Sequence, residues 1–204
     1  MKWFVFILCV MTTYGVFTFS QAAQENETQQ SIASGIVRLH VVANSDVEAD
    51  QNLKFKVRDQ VVSYLQKRLK HVTNVNEARA LMNQERALLS DLAQQVMRAE
   101  GYDYRAEVSL GSCYFPIKKY GDLTFPAGDY QALMIRIGQG EGKNWWCVMY
   151  PSLCFVDSTY QVVPEESKEK LKETMTKEDY EMLLGGESEV SFGFKLLDWV
   201  DKLF

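Results

Sequence analysis

Apolar positions along the chain change period several times, and each change marks an element. Ile36 to Ala43 is rich in β-branched residues, with Val37, Leu39, Val41 and Ala43 on one side and Ile36, Arg38, His40 and Val42 on the other. Apolar surface on both sides predicts a largely buried strand that ends at Asn44. Leu53, Val57, Val61, Leu65 and Leu69 then recur every fourth residue while Lys54, Arg58 and Lys67 fall elsewhere, the pattern of an amphipathic helix from about Glu48 to Lys70. Ser45-Asp46-Val47-Glu48 before it has the spacing of a capping box, in which hydroxyl and carboxylate satisfy reciprocal backbone N–H groups. A second helix is expected to open at Asn74, with Glu77 three residues on. Its stripe is Ala78, Leu81, Leu88, Leu92 and Val96, and Gly101 stops it.

Beyond Gly101 the period falls to two. Tyr104, Ala106, Val108 and Leu110 alternate with Arg105, Glu107 and Ser109, which predicts a half-buried strand over 102–110; 129–137 and 144–150 read as two more. Tyr120-Gly121-Asp122 and Pro126-Ala127-Gly128-Asp129 between them suit tight turns. One strand, two helices and then turn-linked strands predict an α+β domain: a small, mainly antiparallel sheet packed against two long N-terminal helices. Past Pro164 the charged run 165–181 reads as an exposed helix and 192–204 as a terminal amphipathic one.

The first residues have a different logic. Lys2 followed by apolar Trp3 to Met11, with Ser20-Gln21-Ala22 supplying small residues at the −3 and −1 positions, reads as a signal peptide cut after Ala22. An uncleaved anchor is the alternative, since Trp3 to Phe19 carries no charge and lies at the short limit of what crosses a bilayer. Cys9 sits too early, behind Ile7-Leu8, for a lipid-modified cysteine. The expected organisation is thus an export segment at 1–22, a polar flexible leader at 23–34, a core domain at 35–158 and a helical extension at 159–204.

Composition narrows the function. The chain is 47% hydrophobic and 24% charged, enough apolar surface for one packed core. Its formal charge is −5, and the only charge among the first 22 residues is Lys2, so the remainder is more acidic still. Such a surface repels phosphate backbones and argues against a nucleic-acid partner. His40 lies in a strand and His71 at the end of a charged helix, and nothing in the spacing brings them together as an acid–base pair. Paired metal-ligand spacings and a Gly-x-Ser-x-Gly elbow are absent from the sequence. Gly138-Gln139-Gly140-Glu141-Gly142-Lys143 lacks the spacing of a phosphate loop, and Glu141 would repel a phosphate, so a flexible hairpin turn is expected there. No catalytic site, cofactor, metal or small-molecule substrate is expected.

Of four cysteines, Cys113, Cys147 and Cys154 follow the export segment. Export places them where a disulfide persists, although sequence alone does not fix connectivity. A reversal at Tyr150-Pro151-Ser152 would bring Cys147 and Cys154 within disulfide range, and that pairing is assigned. Adjacent Trp145 and Trp146 must point to opposite faces of their strand, so one can pack in the core while the other serves as a partner-binding anchor.

Arg38, Ala43-Asn44-Ser45-Asp46, Asp50-Gln51, Lys54 and Val57-Arg58-Asp59 resemble the N-terminal motif of the stage II sporulation protein R family. Phe115-Pro116, Tyr120-Gly121, Pro126-Ala127-Gly128, Tyr130, Ala132-Leu133, Ile135, Ile137-Gly138, Gly140, Gly142, Asn144-Trp145-Trp146-Cys147-Val148 and Leu153-Cys154-Phe155 resemble its central signature. Ser152 departs from it, standing where the family has a second proline, and Cys113 lies outside the motif. The resemblance implies a protein secreted from the forespore into the space between forespore and mother cell. There it would activate a membrane-embedded aspartic protease, stage II sporulation protein GA, which processes the precursor of sigma factor E. The candidate contacts are Trp145 and Trp146 or the Asn44-Ser45-Asp46 corner, for which helix capping is the structural alternative. A wall-binding module or wall-active enzyme is the competing class.

Overall fold

In the computed structural model, which describes residues 2–154 and 162–185, the β-branched run forms β1 (Val37–Val42) at an interior position of a four-stranded sheet. The sheet also contains β2 (Ala106–Phe115), β5 (Gly128–Ile137) and β6 (Asn144–Tyr150), in the order β2-β5-β1-β6. β2 and β5 are antiparallel, as are β1 and β6, but β1 runs parallel to β5 with Arg38 opposite Ala132 and Val41 opposite Ile135. The sheet is therefore mixed where a mainly antiparallel one was expected. A strand apolar on both faces is suited to an interior place with a parallel neighbour, and the helical crossover after β1 permits one. A small hairpin, β3 (Lys118–Tyr120) with β4 (Leu123–Phe125), links β2 to β5 and turns at Gly121, whose φ is 56°.

One face of the sheet is covered by α2 (Glu48–Leu69), α3 (Val75–Gln84) and α4 (Arg86–Ala99). The predicted stripe of α2 is buried throughout, from Leu53 to Leu69. The second long helix is two. It breaks at Glu85, whose carboxylate accepts hydrogen bonds from Tyr64 and Arg68 of α2. After the break the phase changes: Leu89, Ala93 and Met97 are buried while Leu88 is exposed. The Asn74 cap is present, with its side chain accepting from the Glu77 amide. The capping box at Ser45 is not, since Val47 occupies the N-cap position without a side-chain cap bond.

Residues 23–34, expected as a flexible leader, are the end of a helix, α1 (Lys2–Ser34). Its last turns are fixed to the domain by wholly buried Ile32, by Gln29 donating to the Asp129 carbonyl, and by the Ser31 hydroxyl donating to Asp179. Ile32 and Ala33 among polar side chains leave no period to detect, yet they suffice to dock the helix. The charged run after Pro164 is likewise two helices, α5 (Glu165–Thr174) and α6 (Lys177–Leu184), the second capped by Thr176 accepting from the Asp179 amide. Leu171, Tyr180 and Leu183 are buried, so this run is not a wholly exposed face. The expected terminal helix at 192–204 lies outside the described residues.

Candidate functional site

The sequence-predicted corner and the Trp-Trp-Cys segment are neighbours: Val42 pairs with Asn144 and Val41 with Trp145, so the corner that follows β1 meets the start of β6. Asn44, Ser45 and Asp46 follow β1 and form a polar knot around Asp50, a buried carboxylate in the first turn of α2. Asp50 accepts from Asn44 Nδ2 at 2.8 Å and from Ser45 Oγ at 2.6 Å. Burial alone would raise its pKa, but the bonds from Ser45, Asn44 and Tyr104 outweigh that and hold it below the ordinary carboxylate range. Gln51 donates to the Ser45 carbonyl, and Lys54 donates to Gln51 and to the Lys143 carbonyl.

This knot clamps the glycine loop at 138–143. Asn44 Oδ1 accepts from the Gln139 amide at 3.0 Å and Asp46 from the Lys143 amide at 2.7 Å. The loop is not a hairpin turn, because β5 and β6 do not pair; it crosses the end of β1, which lies between them. Gly138 adopts φ 58°, and at Gly142 a Cβ would collide with the Ser45 carbonyl oxygen. Glycine is needed here for close approach and positive φ. Asn44, Ser45 and Asp46 thus brace the glycine loop, with Asp46 exposed at its outer side.

β6 is an edge of the sheet, so Trp145 and Trp146 are presented by a strand with one neighbour. They point to opposite faces and both are half-buried. Trp145 turns toward α2, its ring 4.1 Å beneath the Arg58 guanidinium and edge-on to Phe55; its buried Nε1 has no hydrogen-bond acceptor. Trp146 stacks on His40 at 3.8 Å and meets Phe115 edge-on at 4.5 Å. Past Tyr150 the chain reverses, and the Leu153 amide donates to the Val148 carbonyl at 2.9 Å. That reversal joins Cys147 to Cys154 in a disulfide, with Cα atoms 5.0 Å apart. Ser152, the departure from the family pattern, ties the turn down: its hydroxyl accepts from Gln66 of α2 and its carbonyl from Ser167 of α5.

Two arrangements escape sequence reasoning because they join residues far apart in the chain. Arg38 is wholly buried, with its guanidinium carbon 4.2 Å from the Phe115 ring centre and 4.7 Å from that of Tyr130. His40, two residues on, has Asn144 Oδ1 at 2.7 Å from Nε2 and Cys113 Sγ at 3.6 Å from Nδ1. Burial lowers the pKa of His40 against the opposing effect of Asn144, while burial and nearby Asp129 raise that of Cys113. The apolar–polar alternation of β2 changes phase at Gly111, so Cys113 and Phe115 lie on the side of Glu107 and Ser109; the two-residue spacing of Cys113 and Phe115 is the sequence signal that would have put them on one strand face. His71 is exposed, away from this cluster.

Among known proteins, residues 33–160 match the family model described as Stage II sporulation protein R. The chain is 35% identical over 201 residues to Stage II sporulation protein R of Bacillus subtilis (strain 168), covering 90% of this chain and 88% of that protein. No solved structure matches it. With both the family model and a relative aligned along most of its length, the chain belongs to the stage II sporulation protein R family.

Proposed function

We propose that this protein is an exported signal of sporulation that activates a membrane-embedded aspartic protease, stage II sporulation protein GA, so that the sigma factor E precursor is processed. The observation that carries this reading is 35% identity, over 88% of its length, to a protein named for stage II of sporulation. Secretion from the forespore into the intermembrane space is the localisation that goes with it. Two structural features support export. The Cys147–Cys154 disulfide suits an oxidising compartment. Among the described side chains of α1, the apolar Trp3, Met11, Tyr14, Val16 and Phe17 lie exposed, as those of a targeting segment would.

In this role the protein works by binding rather than by turnover. An activator shifts its target only if it binds the active arrangement better than the inactive one. The contact is assigned to the β6 edge with Trp145 and Trp146, because Asn44 and Asp46 spend their hydrogen bonds within the fold. Deleting the gene from its own host tests the function: sporulation should arrest with the sigma factor precursor uncleaved, and normal cleavage would refute it. Trp145→Ala and Trp146→Ala, each checked for folding, test the contact; normal processing with both variants would remove this edge from consideration.

A further inference from the structure

The cluster on β1, β2 and β6 is more than a buried histidine. Asn144 Oδ1 can only accept, so its 2.7 Å contact places the imidazole proton on Nε2. Nδ1 then carries the lone pair and faces the Cys113 thiol at 3.6 Å, with the Tyr114 carbonyl, at 3.7 Å from Sγ, as the other acceptor for the thiol hydrogen. The stacked ring of Trp146, 14° from parallel, covers the imidazole, and Phe115 meets it edge-on. A thiol on one imidazole nitrogen and an amide oxygen on the other is the arrangement that serves nucleophilic catalysis in unrelated folds. Cys113 is outside the disulfide and partly accessible.

We propose that Cys113 is an acyl-accepting nucleophile, with His40 as its base and Asn144 as the positioning residue, acting on activated acyl donors of the ester or thioester class. Sγ bonds to the acyl carbon as its proton passes to Nδ1. The carbonyl re-forms by expelling the alkoxide or thiolate, which takes the proton back from Nδ1. The products are an acyl thioester on Cys113 and a free alcohol or thiol, with no oxidant or reductant required. The charged groups around the pair are Asp129 on β5, which disfavours an unassisted thiolate, and Arg38, buried among rings on β1. This activity is separate from the signalling role and does not depend on it.

The test uses the full chain with its disulfide intact and p-nitrophenyl acetate as the acyl donor, with acetyl groups located by peptide mass mapping and glutathione as the unassisted thiol. At pH 7 Cys113 should acetylate about tenfold or more faster than glutathione. Its rate should rise through the imidazole range, or below it, rather than the thiol range. His40→Gln should lose that advantage. Asn144→Ala should lower the rate several-fold and flatten the profile, with Asn144→Asp restoring both. Asn144 is exposed, so its variants remain informative if His40→Gln does not fold. A Cys113 rate no greater than that of glutathione, a profile following thiol ionisation alone, or indifference to both His40 and Asn144 would overturn the proposal.

Discussion

The hydroxyl of Tyr120 accepts a hydrogen bond from Arg38 Nη2 at 3.1 Å and donates to the Trp146 carbonyl at 3.1 Å. One phenol thus ties a wholly buried guanidinium to the edge strand that carries both tryptophans. Nε and Nη1 of Arg38 have no hydrogen-bond partner, and ring faces surround the charge. Tyr120→Phe should therefore cost about 1–3 kcal/mol, read as a lower urea midpoint at unchanged slope. An unchanged midpoint would mean that the rings alone hold the cation.

The disulfide closes a short loop whose turn is already held by the Leu153 amide, Gln66 and Ser167. Chain-entropy loss on closing a loop of this length stabilises the fold by about 2–3 kcal/mol. The double variant Cys147→Ser/Cys154→Ser should lose about that much in equilibrium unfolding while keeping its far-ultraviolet circular dichroism. Loss of folded signal altogether would show that the turn cannot form without the bond.

Much of this architecture was legible because the cues were local and periodic. Leu53 to Leu69 marked α2, Asn74 its successor's cap, and the Cys147 to Cys154 spacing the disulfide. The errors share a physical cause, which is long-range contact overriding local pattern. Glu85 breaks a continuous helical pattern because Tyr64 and Arg68 reach it from another helix. Ser45 does not form the capping box: its hydroxyl donates to Asp50 and accepts from the Val47 amide, one residue short of the helix. The parallel pairing of β1 with β5 depends on strands almost a hundred residues apart, as does the contact of Asn144 with His40. Adjacent tryptophans announced opposite faces, and the structure puts Arg58 against one and His40 against the other.

The corner knot makes a second stability prediction with a local readout. Asn44→Ala removes the acceptor for the Gln139 amide and a donor to Asp50. It should destabilise the domain by about 1–3 kcal/mol and speed hydrogen exchange at Gln139 and Lys143 first. Gly142→Ala should be more damaging than Ser45→Ala, because its Cβ would meet a backbone carbonyl that cannot rotate away. Exchange rates unchanged in Asn44→Ala would show that the loop is held by other means.

Acid should loosen the junction of α3 and α4. The Tyr64 hydroxyl and Arg68 hold the Glu85 carboxyl below its ordinary range. A depressed carboxyl contributes stability that is present above its unfolded pKa of about 4.3 and is lost as pH falls through the folded value. Arg68 is about half exposed, so the contribution should be no more than about 1 kcal/mol. Glu85→Gln should lower stability near pH 7 and cost less at about pH 2, because the wild-type carboxylate loses its advantage as pH falls through its depressed pKa. Equal losses at both values would assign the effect to packing.

Activation itself is tested most directly by co-expressing this protein, the membrane-embedded protease and the sigma factor E precursor in non-sporulating cells, and following precursor cleavage by immunoblot. Cleavage should require all three proteins, and should fall with Trp145→Ala or Trp146→Ala while the amount of the folded variant stays constant. Equal cleavage when this protein is omitted would contradict the account.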